Sequence, residues 1–259
     1  MGTHYPRKRF GQNFLQDPDV IERIISVFRP QKNQTIIEIG PGLGALTRPL
    51  VKQAGKLHVI EIDRDLSDRL SSDPELSGKL VIFNTDVLTF DFHSLGKQLR
   101  IIGNLPYNIS TPLLFHLLRY AESIQDMMFM LQEDIIDRIC AKCGNKTYGR
   151  LSVMIQSRCS VDKLFTVDSQ SFNPQPKVRS AIISITPDLK KYQIPNRETF
   201  SLIVKQAFSQ RRKTIRNSLK TLLDEKLLTD NNINPVSRAE NLSIEDYINI
   251  TKAYLEMSD

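Results

Sequence analysis

A segment of six residues, Gly103 to Asn108, places a side-chain amide, a proline and an aromatic ring in immediate succession. It follows the apolar pair Ile101-Ile102, which is typical of the end of a buried strand. The side-chain oxygen of Asn104 and the backbone oxygen of Leu105 can accept the two hydrogens of a planar exocyclic amine. They would also stabilise the positive charge that develops on its nitrogen as the nitrogen attacks an electrophile.

The next two residues of the segment suit a flat substrate. Pro106 fixes the backbone because its φ angle is locked, and Tyr107 offers a face on which an extruded base can stack. A β-turn built on Asn and Pro is the simpler alternative. The tetrapeptide that starts at Asn104 is nevertheless similar to the catalytic motif of methyltransferases that act on the exocyclic amine of a base.

A glycine-rich turn further towards the N-terminus is predicted to hold a nucleotide-like ligand. The apolar strand 35–39 leads into glycines at 40, 42 and 44, and a helix is predicted from about 45 to 53. Strand, glycine turn and helix begin a nucleotide-binding βαβ unit. The spacing is not the Gly-x-Gly-x-x-Gly of dinucleotide enzymes, which disfavours a dehydrogenase.

Acidic residues follow at the ends of the next two predicted strands. Glu61 lies 21 residues beyond Gly40, near the distance at which an acid grips a ribose diol. Asp86 follows strand 80–84 and can accept a hydrogen bond from the amino group of adenine. A fourth strand delivers Asn104. This order fits S-adenosylmethionine lying across the sheet edge with its methyl group aimed at Asn104.

The remaining pattern predicts an α/β fold with a small second domain. Strands at 126–131, 161–165 and 180–185 would complete a seven-stranded sheet. The loop before the last strand presents Phe172, either as the wall of a base pocket opposite Tyr107 or as an aromatic ring that covers the core. We predict a Rossmann-like S-adenosylmethionine-dependent methyltransferase domain over residues 1–188, with a basic N-terminal arm, and an all-helical domain over 189–259.

Charge and composition favour a polyanionic partner. The 259 residues carry a net charge of +6 with a pI of about 9.2. Residues 199–223 contain no acid, and three of their bases, spaced four apart, are predicted to share one helix face. The residues predicted to bind the phosphates of such a partner are Arg7, Lys8, Arg9, Arg211, Arg212, Lys213, Arg216 and Lys220.

Other classes of protein are disfavoured. No apolar run reaches the 18–20 residues, approximately, that span a bilayer, and the basic N-terminus lacks the apolar region of a secretory signal. The three cysteines make no disulfide framework, so a cytoplasmic protein is expected. Cys140 and Cys143 form one Cys-x-x-Cys without a second pair, so no metal is expected. A monomer is our default expectation.

Together, six motifs resemble those of the ribosomal RNA adenine dimethyltransferases, most closely the bacterial branch that modifies the small subunit. The similarity runs over nearly the whole chain. The motifs are Gly11-Gln-Asn-Phe-Leu15, Glu38-Ile-Gly-Pro-Gly-Leu-Gly44, Asn104-Leu-Pro-Tyr-Asn-Ile-Ser-Thr-Pro112, Tyr148-Gly-Arg-Leu-Ser-Val153, Phe172-x-Pro-x-Pro-Lys-Val178 and Gln210-Arg-Arg-Lys-Thr-Ile-Arg-Asn-Ser-Leu219.

The resemblance implies N6 dimethylation of two adjacent adenosines in a hairpin loop near the 3′ end of small-subunit (16S) rRNA, and a part in small-subunit assembly. It implies that the helical domain grips rRNA and that Phe172 and residues 104–107 contact the target adenine. The donor contacts that it implies are Asn13, Leu15, Gly40, Glu61, Asp86 and Asn104.

Two alternatives remain. One is a large-subunit rRNA adenine methyltransferase of the antibiotic-resistance type, which shares the fold and a similar motif. The basic segment 210–219 and the continuation 238–243 favour the small-subunit enzyme instead. The other is a ribosome-assembly factor whose main act is binding, which a catalytic pocket does not exclude.

Overall fold

A computed structural model describes residues 12–210 and 212–258 of the chain. The predicted phosphate-binding residues Arg7, Lys8, Arg9 and Arg211 lie outside these described residues. The chain divides into two compact units: residues up to Ile136 together with Val161–Pro187, and Asp137–Ser160 together with the segment from Asp188 onwards. The chain passes from the first unit to the second for the last time after Pro187, next to the predicted domain boundary. Residues 137–160, in contrast, were expected in the first domain.

Two sheets organise the first unit. A seven-stranded sheet has the order β4-β3-β2-β5-β6-β9-β7, and a second sheet pairs β1 with β8. The strands are β1 (Phe14–Leu15), β2 (Ile36–Ile39), β3 (Leu57–Ile60), β4 (Leu80–Phe83), β5 (Leu99–Asn104), β6 (Ile124–Gln132), β7 (Cys159–Val167), β8 (Phe172–Asn173) and β9 (Ser180–Pro187).

Helices connect the strands and contribute the second layer. They begin with α1, whose first turn is capped by the carboxylate of Asp17. The helices before the second unit are α1 (Pro18–Phe28), α2 (Thr47–Ala54), α3 (Arg64–Ser71) and α4 (Ser110–Leu118), and α5 (Glu133–Cys140) crosses into it.

The order of the strands creates a ligand-binding edge. β2 pairs in parallel with β3 on one side and with β5 on the other, and β3–β4 and β5–β6 are also parallel, whereas β9 runs antiparallel to β6. The chain therefore winds outwards in both directions from the β2/β5 pair. The crevice at the carboxyl ends of such a pair is where open α/β sheets bind ligands. The predicted α/β Rossmann-like fold is confirmed.

The two-residue strands β1 and β8 were not predicted from the sequence. Phe14 lies opposite Asn173 and Leu15 opposite Phe172. The hydroxyl of Ser171 donates to a carboxylate oxygen of Asp17 over 2.8 Å. Strands this short carry no alternating pattern, so only the tertiary structure reveals them. The described part of the arm is thus docked against the loop that precedes β9.

Gly103, near the end of β5, permits a close approach of two strands. A Cβ atom built on it would lie 2.5 Å from the backbone oxygen of Ile39 in β2 and 3.1 Å from the side chain of Leu105. A backbone oxygen in a paired strand cannot move without moving the strand. The glycine therefore sets the spacing of β2 and β5 where the two motifs meet.

Replacing Gly103 by alanine should lower the free energy of unfolding by about 1–3 kcal/mol, because the added methyl group overpacks the strand pair. Thermal unfolding of the full chain measures this. Gly149→Ala is the matched control, since that Cβ would meet its nearest atom only at 3.9 Å. Equal losses in the two variants would refute the close-approach explanation.

The second unit is helical and has its own apolar core. Tyr247 is fully buried in it, and its hydroxyl donates to the backbone oxygen of Ala239 over 2.7 Å. Its helices are α6 (Arg150–Gln156), α7 (Arg197–Ala207), α8 (Ile215–Leu219), α9 (Glu225–Asp230) and α10 (Ile244–Ser258).

The predicted helix face of the basic segment is partly wrong. α8 has only five residues, and Thr214 before it has an extended backbone, so Arg212 does not share a helix with Arg216. The spacing of the basic residues favoured a longer helix. Thr214, however, forms an isolated antiparallel β-bridge with Arg238, which holds the chain extended at this point. Arg216 itself pairs with Glu225 at 3.3 Å, just beyond the acid-free window.

Candidate active site

A cavity of about 340 Å³ lies at the carboxyl ends of the central strands. Its walls come from the docked arm, the glycine loop, the ends of β3 and β4, and the segment after β5. The predicted site residues among those that line it are Asn13, Leu15, Gly40, Glu61, Asp86, Asn104, Leu105, Pro106 and Tyr107. The structure therefore brings these residues together around one space.

Two glycines of the glycine loop present only backbone to this space. Gly40 and Gly42 have φ angles of +66° and +57°, in the left-handed region that favours glycine. A Cβ at Gly42 would lie 3.1 Å from the ring of Phe14. The guanidinium of Arg48 braces the far end of the loop by donating to the backbone oxygen of Leu43 over 2.8 Å, and it pairs with Asp73 at 2.7 Å.

The carboxylate of Glu61 is tied to the glycine loop. One of its oxygens accepts from the backbone N–H of Gly42 over 3.3 Å, and the other accepts from that of Asp63 over 2.9 Å. Burial raises the pKa of Glu61, and these two backbone hydrogen bonds oppose the rise. The side-chain amide of Asn84 donates to the backbone oxygen of Glu61 over 2.8 Å. Asn84 was not predicted as a site residue, because its contribution depends on pairing between neighbouring strands.

Asp86 is half-buried at the next strand end. One of its carboxylate oxygens caps a short 3-10 turn by accepting from the backbone N–H of Leu88 over 2.9 Å. The neighbouring Val87 is buried and also lines the cavity. An acid with a fixed backbone thus borders an apolar surface, which suits a heterocyclic ring that carries an amino group.

The side chain of Asn104 is oriented by the arm. Its amide nitrogen donates to the backbone oxygen of Asn13 over 2.9 Å. Since the nitrogen is used, the side-chain oxygen is the atom left to accept, and it forms no hydrogen bond with any described residue. The backbone N–H of Leu105 donates to the backbone oxygen of Met130 over 3.1 Å. The two predicted acceptors of an amine are therefore held on a rigid strand end.

Hydrogen bonds hold the backbone and the tyrosine of the turn that follows this strand. The backbone oxygen of Pro106 accepts from the N–H of Ile109 over 3.2 Å and from the hydroxyl of Ser110 over 3.0 Å. The hydroxyl of Tyr107 lies 2.8 Å from that of Ser180. Burial raises the pKa of Tyr107, and the Ser180 hydrogen bond lowers it.

Phe172 occupies a different environment. Its side chain is 4% exposed and packs in the apolar core of the first unit with Leu15 and Phe28. It is not among the residues that line the cavity. The structure thus places this ring as one that covers the core, and its contact with a target base stays a prediction.

The predicted phosphate-binding residues of the second unit are at the surface. Arg212, Lys213, Arg216 and Lys220 are all exposed. Their role towards rRNA stays a prediction. Among residues 12–210 and 212–258, no helix is long and apolar enough to cross a membrane, and no cluster of three or more His, Cys, Asp or Glu side chains can hold a metal ion.

Glu38 is a buried acid of the site that the sequence did not single out as functional. It is 2% exposed, lines the cavity and accepts from the hydroxyl of Thr47 over 2.7 Å. Burial raises its pKa from 4.5 to about 8; the Thr47 hydrogen bond opposes this rise, and the nearby Glu61 carboxylate adds to it. Its place inside an apolar strand was the available signal.

Glu38→Gln should raise the free energy of unfolding at pH 7.5 by about 1–3 kcal/mol. In the unfolded state this carboxyl loses its proton near pH 4.5, whereas in the folded state it keeps the proton until about pH 8. Rising pH across this window therefore destabilises the wild type but not the variant. The gain should vanish below pH 4.5. Chemical denaturation at several pH values measures it.

The control for this substitution is Glu22→Gln, at an exposed position of α1. It should leave the pH dependence of stability unchanged. A Glu38→Gln variant that is less stable than the wild type at pH 7.5 would show that the buried group is ionised.

Comparison with known proteins gives the family. A model of the family described as ribosomal RNA adenine dimethylase matches residues 3–256. The ribosomal RNA small subunit methyltransferase A of Proteus mirabilis is 50% identical over 252 residues, which cover 95% of this chain and 93% of that protein.

Two solved structures have the same fold at lower identity. A dimethyladenosine transferase from Plasmodium falciparum superposes with a TM-score of 0.77 at 24% identity, covering 95% of this chain and 98% of the other. The 23S rRNA methyltransferase ErmE superposes with a TM-score of 0.69, also at 24% identity, covering 93% of this chain and 99% of the other.

Proposed function

The chain belongs to the ribosomal RNA adenine dimethylase family, and from this we propose that it dimethylates N6 of two adjacent adenosines near the 3′ end of small-subunit rRNA. The methyl donor is S-adenosylmethionine. The observation of the structure that carries the proposed chemistry is the orientation of Asn104. Its amide nitrogen is bound to Asn13, so that its oxygen is presented as an acceptor beside the glycine-loop cavity.

The residues of the cavity fit the donor. Gly40 and Gly42 have no side chains, so a ligand can approach the backbone closely at these two positions. Glu61 would accept from the ribose hydroxyls and Asp86 from the adenine amino group, while Ile62 and Val87 supply apolar surface. When bound, S-adenosylmethionine would supply an electrophilic methyl group on a positively charged sulfur, and the neutral thioether would leave as the carbon–sulfur bond breaks.

The acceptor amine is activated by two oxygens of the chain. The N6 lone pair of adenine is delocalised into the ring, which makes the nitrogen a poor nucleophile. The oxygens of the Asn104 side chain and the Leu105 backbone would accept its hydrogens and favour a tetrahedral nitrogen. They would also stabilise the positive charge that grows on it, and because they are held before the reaction, little reorganisation is needed.

The reaction needs no strong base from the chain. Once the nitrogen has gained a methyl group it is cationic, and it then loses its proton readily to water. Tyr107 would stack on the adenine, which is worth about 1–3 kcal/mol per base. Its pKa is raised above its ordinary value, so its hydroxyl stays protonated at neutral pH.

The similarity to a small-subunit enzyme supports that subunit as the substrate. The test offers labelled S-adenosylmethionine with unmodified small subunits and, in parallel, with large subunits. Label in small-subunit rRNA alone is expected. Label in large-subunit rRNA would favour the resistance-type alternative, and label in neither would refute the proposed reaction. A role in subunit assembly stays a prediction.

A further inference from the structure

Ser180 links the last strand of the sheet to the catalytic segment. It is the first residue of β9, its side chain is fully buried, and its hydroxyl lies 2.8 Å from that of Tyr107. Tyr107 is half-buried and lines the cavity. The partner of Ser180 is thus a ring that faces the ligand-binding space.

The position of Ser180 does not depend on this hydrogen bond. Its backbone lies opposite Gln132 of β6 in a regular antiparallel ladder. The backbone N–H of Glu133 donates to the oxygen of Arg179 over 3.0 Å, and the Glu133 carboxylate pairs with Lys163 at 2.9 Å. Ser180 is therefore a fixed anchor, and Tyr107 is the group that gains order from the contact.

The effect on Tyr107 is to restrict the position of its ring. Pro106 limits the backbone before the ring, but the side chain can still rotate about its first torsion angle. A hydrogen bond at the far end of the phenol stops that rotation. A ring held in place before binding loses less conformational entropy when a base stacks on it.

We propose that Ser180 is a positioning residue that holds the ring of Tyr107 in the place where the target adenine stacks. This inference rests on the proposed function. Ser180 acts through Tyr107 and contributes to binding of the acceptor base. It has no part in binding the methyl donor, whose predicted contacts lie on other strand ends.

Ser180→Ala should raise the KM for unmodified small subunits about three- to tenfold, the size of one lost hydrogen bond. Tyr107→Phe should raise it equally, because it removes the other hydroxyl of the pair. The double variant should be no worse than either single variant, since all three lack the same bond. The dissociation constant for S-adenosylmethionine should be unchanged in each.

Ser184→Ala is the matched control, because it lies four residues along the same strand and should leave KM unchanged. An unchanged KM for Ser180→Ala, an additive double variant, or a loss confined to kcat would overturn the inference. If Ser180→Ala fails to fold, Tyr107→Phe alone decides, and a normal KM in it refutes the proposal. Inactivity of the wild type on small subunits would instead refute the proposed function.

Discussion

Asn104→Ala should lower kcat by a factor of about 10²–10³. This is the size of effect seen when one group that stabilises developing charge is removed. The variant loses the oxygen that accepts from the amine. Donor affinity should fall by less than about tenfold, since at most one hydrogen bond to the donor is lost. Single-turnover transfer at saturating S-adenosylmethionine measures the chemical step, and calorimetry measures donor binding.

Asn33→Gly is the control for this variant. It removes an exposed side-chain amide from a turn residue whose φ of 70° suits glycine, and it should leave both measurements unchanged. Near-normal turnover in Asn104→Ala would refute the assignment of its oxygen. If a higher concentration of S-adenosylmethionine restored the rate of methyl transfer in Asn104→Ala, Asn104 would be a donor-binding residue alone.

Glu61→Gln should weaken S-adenosylmethionine binding by roughly 10- to 100-fold, because several interactions change at once. The neutral amide loses the negative charge that strengthens hydrogen bonds from ribose hydroxyls. Its NH₂ group also faces the backbone N–H of either Gly42 or Asp63, and that N–H then has lost the oxygen to which it donated. Calorimetric titration with S-adenosylmethionine gives the dissociation constant.

Turnover at saturating donor should remain within about tenfold of the wild type, because Glu61 contacts no reacting atom. Glu22→Gln, at an exposed position of α1, is the control and should bind the donor normally. Normal donor affinity in Glu61→Gln would show that the buried carboxylate only braces the glycine loop.

The sequence was sufficient to predict the sheet because several of its strands are short apolar runs that are followed by acidic or polar residues. The predicted strands at 35–39 and 80–84 correspond to β2 and β4, each within one residue at either end. Glu61 and Asp86 were found because an acid directly after a buried strand is unusual for packing but useful for binding. The strand order that brings them together follows from the rules for parallel α/β folds.

Contacts between distant segments could not be predicted in this way. The hydrogen bond from Asn104 to Asn13 joins residues 91 positions apart, and the one between Tyr107 and Ser180 joins residues 73 apart. Neither produces a local pattern. Phe172 shows the same limit, since a loop aromatic has the same sequence pattern whether its ring faces a pocket or the core. In the basic segment, tertiary pairing of Thr214 with Arg238 shortened the predicted helix.

The most direct measurement is identification of the modified nucleoside. Unmodified small subunits are incubated with the protein and S-adenosylmethionine, the 3′ hairpin of the rRNA is isolated, and its nucleosides are analysed by mass spectrometry. We predict N6,N6-dimethyladenosine at two adjacent positions, formed about 10²–10³ times more slowly with Asn104→Ala. Unmodified adenosine at both positions, with a wild-type protein that binds the donor and the subunit, would contradict the proposed reaction.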